Sequence, residues 1–224
     1  MKEFELLAEL ERRGLIVGAE HDAAEIEGLV VTQDTLVEGV HFRFDLLDWR
    51  ELGFRAAAVN ISDLSASGAE PVALVVTLAG PDLEHAVELY EGIAETGVPV
   101  RGGDTTRAEQ VVITVTALGR AQRVPGRAGA QPGDLLVVTG PLGGAGAAFR
   151  EGRLAPPPIR TYEGRELARA AHAMLDISDG LGPDAGHIAR RSGCKLVIDL
   201  EAVPLADGAT LDDLSFGEDY ELLA

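Results

Sequence analysis

The chain is short of cysteine, lysine and long apolar runs. Cys194 is its only cysteine, which excludes an internal disulfide and a structural zinc site built on cysteines, and fits a reducing cytoplasm. Cys194 itself reads most simply as a small buried hydrophobe. Lys2 and Lys195 are the only lysines, and neither lies in GxxxxGK[ST] or in the V-A-I-K setting of protein kinases, so neither familiar lysine-based phosphate site is present. No segment reaches the roughly 18 consecutive apolar residues of a membrane span. The opening MKEFELLAELERRGL carries acids throughout, so no secretory leader is expected and a cytoplasmic location is. Basic residues number 19 against 37 acidic ones, a formal net charge of −18. Such a charge repels a polyphosphate backbone, and nucleic acid is not an expected partner. An acidic protein that handles phosphate has to recruit cations, and divalent metal held by carboxylates is the direct means. For most of the glutamates, solubility is a sufficient explanation.

What is present is ordinary for a folded protein: 46% hydrophobic and 25% charged residues, with 27 glycines that imply many tight turns. A chain of 224 residues can form one large domain or two modest ones, and two are expected, 1–125 and 126–224, divided in the loop-like QRVPGRAGAQPGD. Residues 3–13 have the spacing of an amphipathic helix ended near Gly14. GLVVT at 28–32 reads as a buried strand followed by the polar segment QDTLVEGVHF. WRELGFRAAAVNISDLSASG at 49–68 reads as a helix with a face of small residues, which lets neighbouring backbone approach Asn60 and Asp63. PVALVVTLA at 71–79 and QVVITVTALG at 110–119 read as strands around a helix at 81–97 opened by Pro81. DLLVVTG at 134–140 restarts regular structure. Beyond it come helices near 141–152, near 163–173 and after Asp179, then a strand KLVIDL at 195–200.

The remaining candidates for chemistry are aspartates in unusual settings: HDAA at 21–24, TQDTLVEGVHF at 32–42, NISDLSASGA at 60–69, RGGDTT at 101–106 and DISDGL at 176–181. Asp104 follows two glycines in a turn-like segment that exposes a carboxylate beside backbone N–H groups, or makes a plain Asx turn. Asp176 and Asp179 are three apart at a helix start and could share a metal; Ser178 could instead be the N-cap. GPLGGAG at 140–146 lacks the full dinucleotide fingerprint and is a weak candidate for ligand contact.

In this order, the segments resemble the thiamine-monophosphate kinase family, within the ATP-binding superfamily of aminoimidazole ribonucleotide synthase. TQDTLVEGVHF is close to the family's TTD-x-LVEGVHF and NISDLSASGAEP to its N-x-SDLAAMGA-x-P, while GGDTT, DISDGL and GEDYEL occur as such. The resemblance implies a two-domain α/β (α+β) fold, N-terminal domains paired in a homodimer, and ATP with several Mg2+ ions bound between domains. It implies metal ligation by Asp22, Asp34, Asp63, Asp104, Asp176 and Asp179, ATP contacts from Gly103, Arg127 and Ser178, and contacts to thiamine monophosphate from His41 and Glu218. The bland alternatives are a packed histidine for His41 and a solvated charge for Arg127. Without a P-loop lysine, metal must neutralise the charge of an in-line transfer, and no covalent phosphoenzyme is needed.

Three departures stand out. His21 replaces the first acid of the usual GDDAA, Gln33 replaces a hydroxyl residue, and family members continue well past the position of Ala224, which implies an incomplete C-terminal domain. Selenophosphate synthetase and the hydrogenase-maturation relative each need a cysteine or selenocysteine that this chain lacks. Aminoimidazole ribonucleotide synthase remains a rival by fold, as does a catalytically silent nucleotide-binding or dimerising protein.

Overall fold

The protein is described here by a computed structural model covering residues 3–16, 22–80 and 83–224. His21 and Pro81, on which two expectations rested, lie outside the described residues. The amphipathic opening segment forms helix α1 (Glu3–Arg12), ended at Gly14 with φ 67°. Strands β1 (Ala24–Ile26) and β2 (Leu29–Val37) follow. The polar QDTLV belongs to β2 rather than trailing it. Thr32 and Leu36 point inward, with half-buried Asp34 between them, while Gln33 and Thr35 are exposed, a period-2 pattern interrupted only by the polarity of the inward residues.

Helix α2 (Trp49–Ala66) starts at a reciprocal cap: the Asp48 side chain accepts from the Glu51 N–H at 2.8 Å, and the Glu51 carboxylate accepts from the Asp48 N–H at 2.8 Å. It is buried on nearly every side, and its alanines and glycine explain how. A Cβ on Gly53 would sit 1.9 Å from the Leu89 carbonyl oxygen of helix α3 (Leu83–Ala94), and one on Gly92 would sit 1.8 Å from that of Arg50. Only glycine permits this backbone contact.

Strands β3 (Glu70–Gly80), β4 (Val100–Arg107) and β5 (Val112–Arg120) complete a five-stranded sheet in the order β1-β2-β5-β3-β4. β5 runs antiparallel to β2 and β3, whereas β4 is parallel to β3 through the α3 crossover. β4 corrects the expectation of a turn at RGGDTT. Its two glycines read as turn residues, but a Cβ on Gly103 would lie 1.7 Å from the Val76 carbonyl oxygen, so this glycine allows the edge strand to close on β3. One sheet face buries Val30, Leu36, Leu74, Val76, Leu78, Ile113, Val115 and Ala117 against α2 and α3. The other face carries Gln33, Thr35, Val75 and Thr77 exposed.

The second half builds a separate core from Leu142, Leu175, Ile177, Leu181, Ile188, Leu214 and Leu223. Its elements are α4 (Gly144–Arg150), α5 (Thr161–Ala168), β6 (Leu175–Asp176), α6 (Leu181–Ser192), a 3-10 turn (Leu211–Ser215) and β7 (Leu222–Leu223), which pairs antiparallel with β6. Helices α4 and α5 are shorter than the helices expected near 141–152 and 163–173. The strand expected at 195–200 and the regular structure expected at 134–140 do not form. At 195–200, Leu196 and Ile198 pack on the core while Lys195, Val197 and Asp199 face out, so the alternation is real but no ladder pairs it. At 134–140, regular pairing is confined to the single bridge Val138 to Leu223 and the hydrogen bonds around it. Alternating side chains fix which face is apolar; a strand also needs a neighbouring backbone.

Candidate functional site

Three carboxylates from distant parts of the chain converge where the halves meet. Oxygens of Asp22, before β1, of Asp63, near the end of α2, and of Asp176, on β6, all lie within 4.8 Å of one another. Each is fixed by a neighbour. Thr32 Oγ1 donates to Asp63, Ser62 Oγ donates to Asp176 Oδ2 at 2.6 Å, and Arg127 Nε donates to Asp22 Oδ1 at 2.8 Å. Asp34 joins the group electrostatically; Asn60 Oδ1 accepts its backbone N–H at 3.0 Å, and Asn60 Nδ2 is anchored on the Ala56 carbonyl at 2.9 Å.

Crowding like charges in a dry place raises their proton affinity. Burial, reinforced by Asp22, pushes the Asp176 carboxyl up to about 8. Asp63 is held well above the usual carboxylate range by burial and then by Asp176, Asp34 and Asp22; Asp34 is raised chiefly by burial. Burial works against the charge of Arg127, but Asp22, Asp176 and Asp63 outweigh it and favour the protonated guanidinium. Hard carboxylate oxygens with this spacing suit magnesium, and the donor set therefore fits the expected ion.

Asp179 belongs to a different group. It is exposed, and one of its oxygens lies within 4.8 Å of ligand atoms of Asp184 and His187, both on α6. Asp176 and Asp179 thus do not stand together as their spacing suggested, because the strand β6 ends and the chain turns between them. Ser178 is not the α6 N-cap; that place is taken by Gly180, and the Asp184 carboxylate accepts the Asp179 N–H at 3.0 Å. Burial raises Asp184 to about 6. Asp184 and His187 were missed in the sequence. The available signal was their separation of three residues on one helix face, next to DISDGL.

The remaining candidates divide by position. His41 Nδ1 accepts the Val37 N–H at 3.0 Å, which leaves Nε2 as the second ring nitrogen of an exposed residue close to Asp34. Glu218 pairs with Arg55 of α2, and its N–H donates to the Ser178 carbonyl at 2.8 Å. Asp104 and Gly103 lie on the exposed edge strand. Asp104 is in register with Thr77, Thr77 with Thr114, and Thr114 with Thr35, to which it is hydrogen-bonded at 2.9 Å. Asp104 therefore shares the open face of the sheet, whereas Asp34 turns towards α2, and a single chain does not bring the two together. GPLGGAG is already occupied by an anion of the chain itself: the Asp219 carboxylate accepts from the N–H groups of Gly143 at 2.7 Å and Ala145 at 3.1 Å. That seat at the head of α4 is closed to phosphate.

The arrangement is that of an ATP-binding α/β enzyme with carboxylates in place of a phosphate-binding lysine loop. Residues 20–121 match the family model of the AIR synthase related protein N-terminal domain, and residues 131–223 that of the C-terminal domain. Thiamine-monophosphate kinase of Salmonella typhimurium is 36% identical over 231 residues, covering 88% of this chain and 71% of its own length. That of Pyrococcus horikoshii is 34% identical, covering 87% and 71%. A structure of AaThiL complexed with AMPPCP and TMP aligns at TM-score 0.89 and 30% identity, over 99% of this chain and 84% of that one. The chain belongs to the thiamine-monophosphate kinase family. The E. coli hydrogenase maturation protein HypE, at 21% identity and TM-score 0.68 over 100% of this chain and 73% of its own, shares the fold.

Proposed function

We infer that this chain transfers the terminal phosphoryl group of ATP to the phosphate of thiamine monophosphate, giving thiamine diphosphate by direct in-line displacement. The observation that carries this reading is the meeting of Asp22, Asp63 and Asp176 in a member of this family, with two carboxylates from the first half and one from the second. Asp22, Asp34, Asp63 and Asp176 would hold magnesium, with Asp104 and Asp179 as further ligands; the ions would neutralise the triphosphate and the charge that develops during transfer. Arg127, now on Asp22, is within the same site and can turn to a phosphate oxygen. His41 and Glu218 are proposed to receive the thiamine monophosphate, with Gly103 and Ser178 beside ATP. We propose a domain division at 125/126, which the two separate buried cores support.

A homodimer is proposed as well. The open face of the five-stranded sheet, with Val75 and Thr77 exposed, supports it, and pairing there would bring a partner's edge strand to a site that one chain leaves without Asp104. Among the described residues, no helix is long and apolar enough to cross a membrane; the proposed location is the cytoplasm. Incubation with ATP, magnesium and thiamine monophosphate, followed by chromatography of the product, tests the activity. Formation of thiamine diphosphate is expected, and ATP binding without any product would instead support a silent nucleotide-binding protein.

A further inference from the structure

Arg55 is a charged side chain in a place where charge is costly. It projects from the middle of α2 with only 4% of its surface exposed, and its partners all come from the other half of the chain. Its guanidinium donates to the Ala155 carbonyl at 2.8 Å, pairs with the Glu218 carboxylate and lies 5.9 Å from the centroid of the Tyr220 ring. A buried cation with so many matched partners is fixed in orientation, since a guanidinium has its donors in a rigid plane.

The segment it holds is strained. Glu218 has φ 63° and Tyr220 has φ 51°, and both follow Gly217 at φ 83°. Residues with a Cβ keep such angles only where their surroundings impose them. The backbone supplies part of the restraint, since the Glu218 and Tyr220 N–H groups donate to the carbonyls of Ser178 at 2.8 Å and Ile177 at 2.9 Å. These bonds fix the main chain. They leave the Glu218 side chain to be aimed by what it meets, and what it meets is Arg55.

We propose that Arg55 is a positioning residue for the acceptor end of the site, holding Glu218 and Tyr220 so that affinity for thiamine monophosphate depends on it while affinity for ATP does not. This rests on the function inferred above. Thiamine monophosphate carries a thiazolium cation, which a carboxylate can face. Arg55 engages Glu218 through Oε2, and the Glu218 side chain is still partly exposed.

The test uses Arg55→Met, Arg55→Lys and Glu218→Gln in the whole chain, with steady-state kinetics for each substrate, calorimetric binding of thiamine monophosphate, and thermal unfolding. Arg55→Met should raise KM and Kd for thiamine monophosphate at least about tenfold, the loss expected when a charged hydrogen bond is removed. Its KM for ATP should stay within about twofold, and Arg55→Lys should recover part of the loss. In a Glu218→Gln background the Arg55→Met effect should largely vanish, because the two act as one unit. Equal changes in both KM values, or unchanged binding of thiamine monophosphate by a folded Arg55→Met variant, would overturn the proposal and leave only a structural latch. A wild-type chain that neither binds nor phosphorylates thiamine monophosphate would overturn the proposed activity and this inference together. A wild type that turns over normally beside an indifferent Arg55→Met would overturn the inference alone.

Discussion

Asp176 shows what the site costs when no metal neutralises it. Its folded carboxyl is raised to about 8 by burial and by Asp22, far above an unfolded aspartate at about 3.9. A raised group contributes stability that is fully present below its unfolded value and is lost as pH rises through its folded one. The chelated protein should therefore lose stability between about pH 4 and pH 8 through this residue. Asp176→Asn keeps the shape, still offers an oxygen to Ser62, and removes the charge. Thermal unfolding in chelator at pH 8 and above should show the variant melting at least about 2 °C higher than wild type, with a flatter pH dependence; equal melting curves across this range would contradict it. Function should move the other way. Asp104→Asn and Asp179→Asn should each lower thiamine diphosphate formation at least tens-fold, by analogy with the cost of disturbing metal support. Their stability should change by about 1 kcal/mol or less, because both side chains are exposed and asparagine nearly preserves their size. In the sequence these aspartates are singled out by their flanking motifs alone. Asp184 and His187 are not, since a carboxylate and an imidazole on an otherwise ordinary amphipathic helix carry no mark until the fold sets them beside Asp179.

Elements were legible where local pattern and tertiary need agree. Helix α2 announced itself through its run of small residues, and β3 and β5 through their apolar residues. β4 did not, because VRGGDTTR has the composition of a turn and becomes a strand only beside β3. The converse holds at KLVIDL, where the alternation survives without a partner. Two neighbouring glycines in β4 make this testable. A methyl group on Gly103 would strike the Val76 carbonyl, whereas one on Gly102 would meet nothing within 4 Å. Gly103→Ala should cost about 1–3 kcal/mol or more, as overpacking does, and Gly102→Ala should be near neutral or slightly stabilising. Denaturant unfolding of the pair checks this, and similar losses in both would mean that β4 does not pack as described.

The whole molecule carries a net charge of −18 and handles two phosphate compounds, so its dependence on magnesium should be steep. ATP affinity measured by calorimetry should collapse in chelator; equal affinity with and without magnesium would remove the proposed metal-mediated site. Sedimentation velocity should give a dimer, and a monomer at high micromolar concentration would count against pairing through the open sheet face. The assignment of the whole chain came from ordered motifs. The way the halves are joined did not, because Arg55 reads in sequence as one more charge on a helix. Arg55 and Asp63 lie on the same unbroken helix α2, eight residues and therefore about 12 Å apart along its axis. That helix is a ruler. It sets the separation between the proposed acceptor seat and the proposed metal seat in units of residues, so a deletion of one residue between positions 55 and 63 would shorten the gauge by about 1.5 Å and turn one end about 100° away from the other. Such a chain could still bind each substrate alone and yet be unable to bring the two phosphates into line.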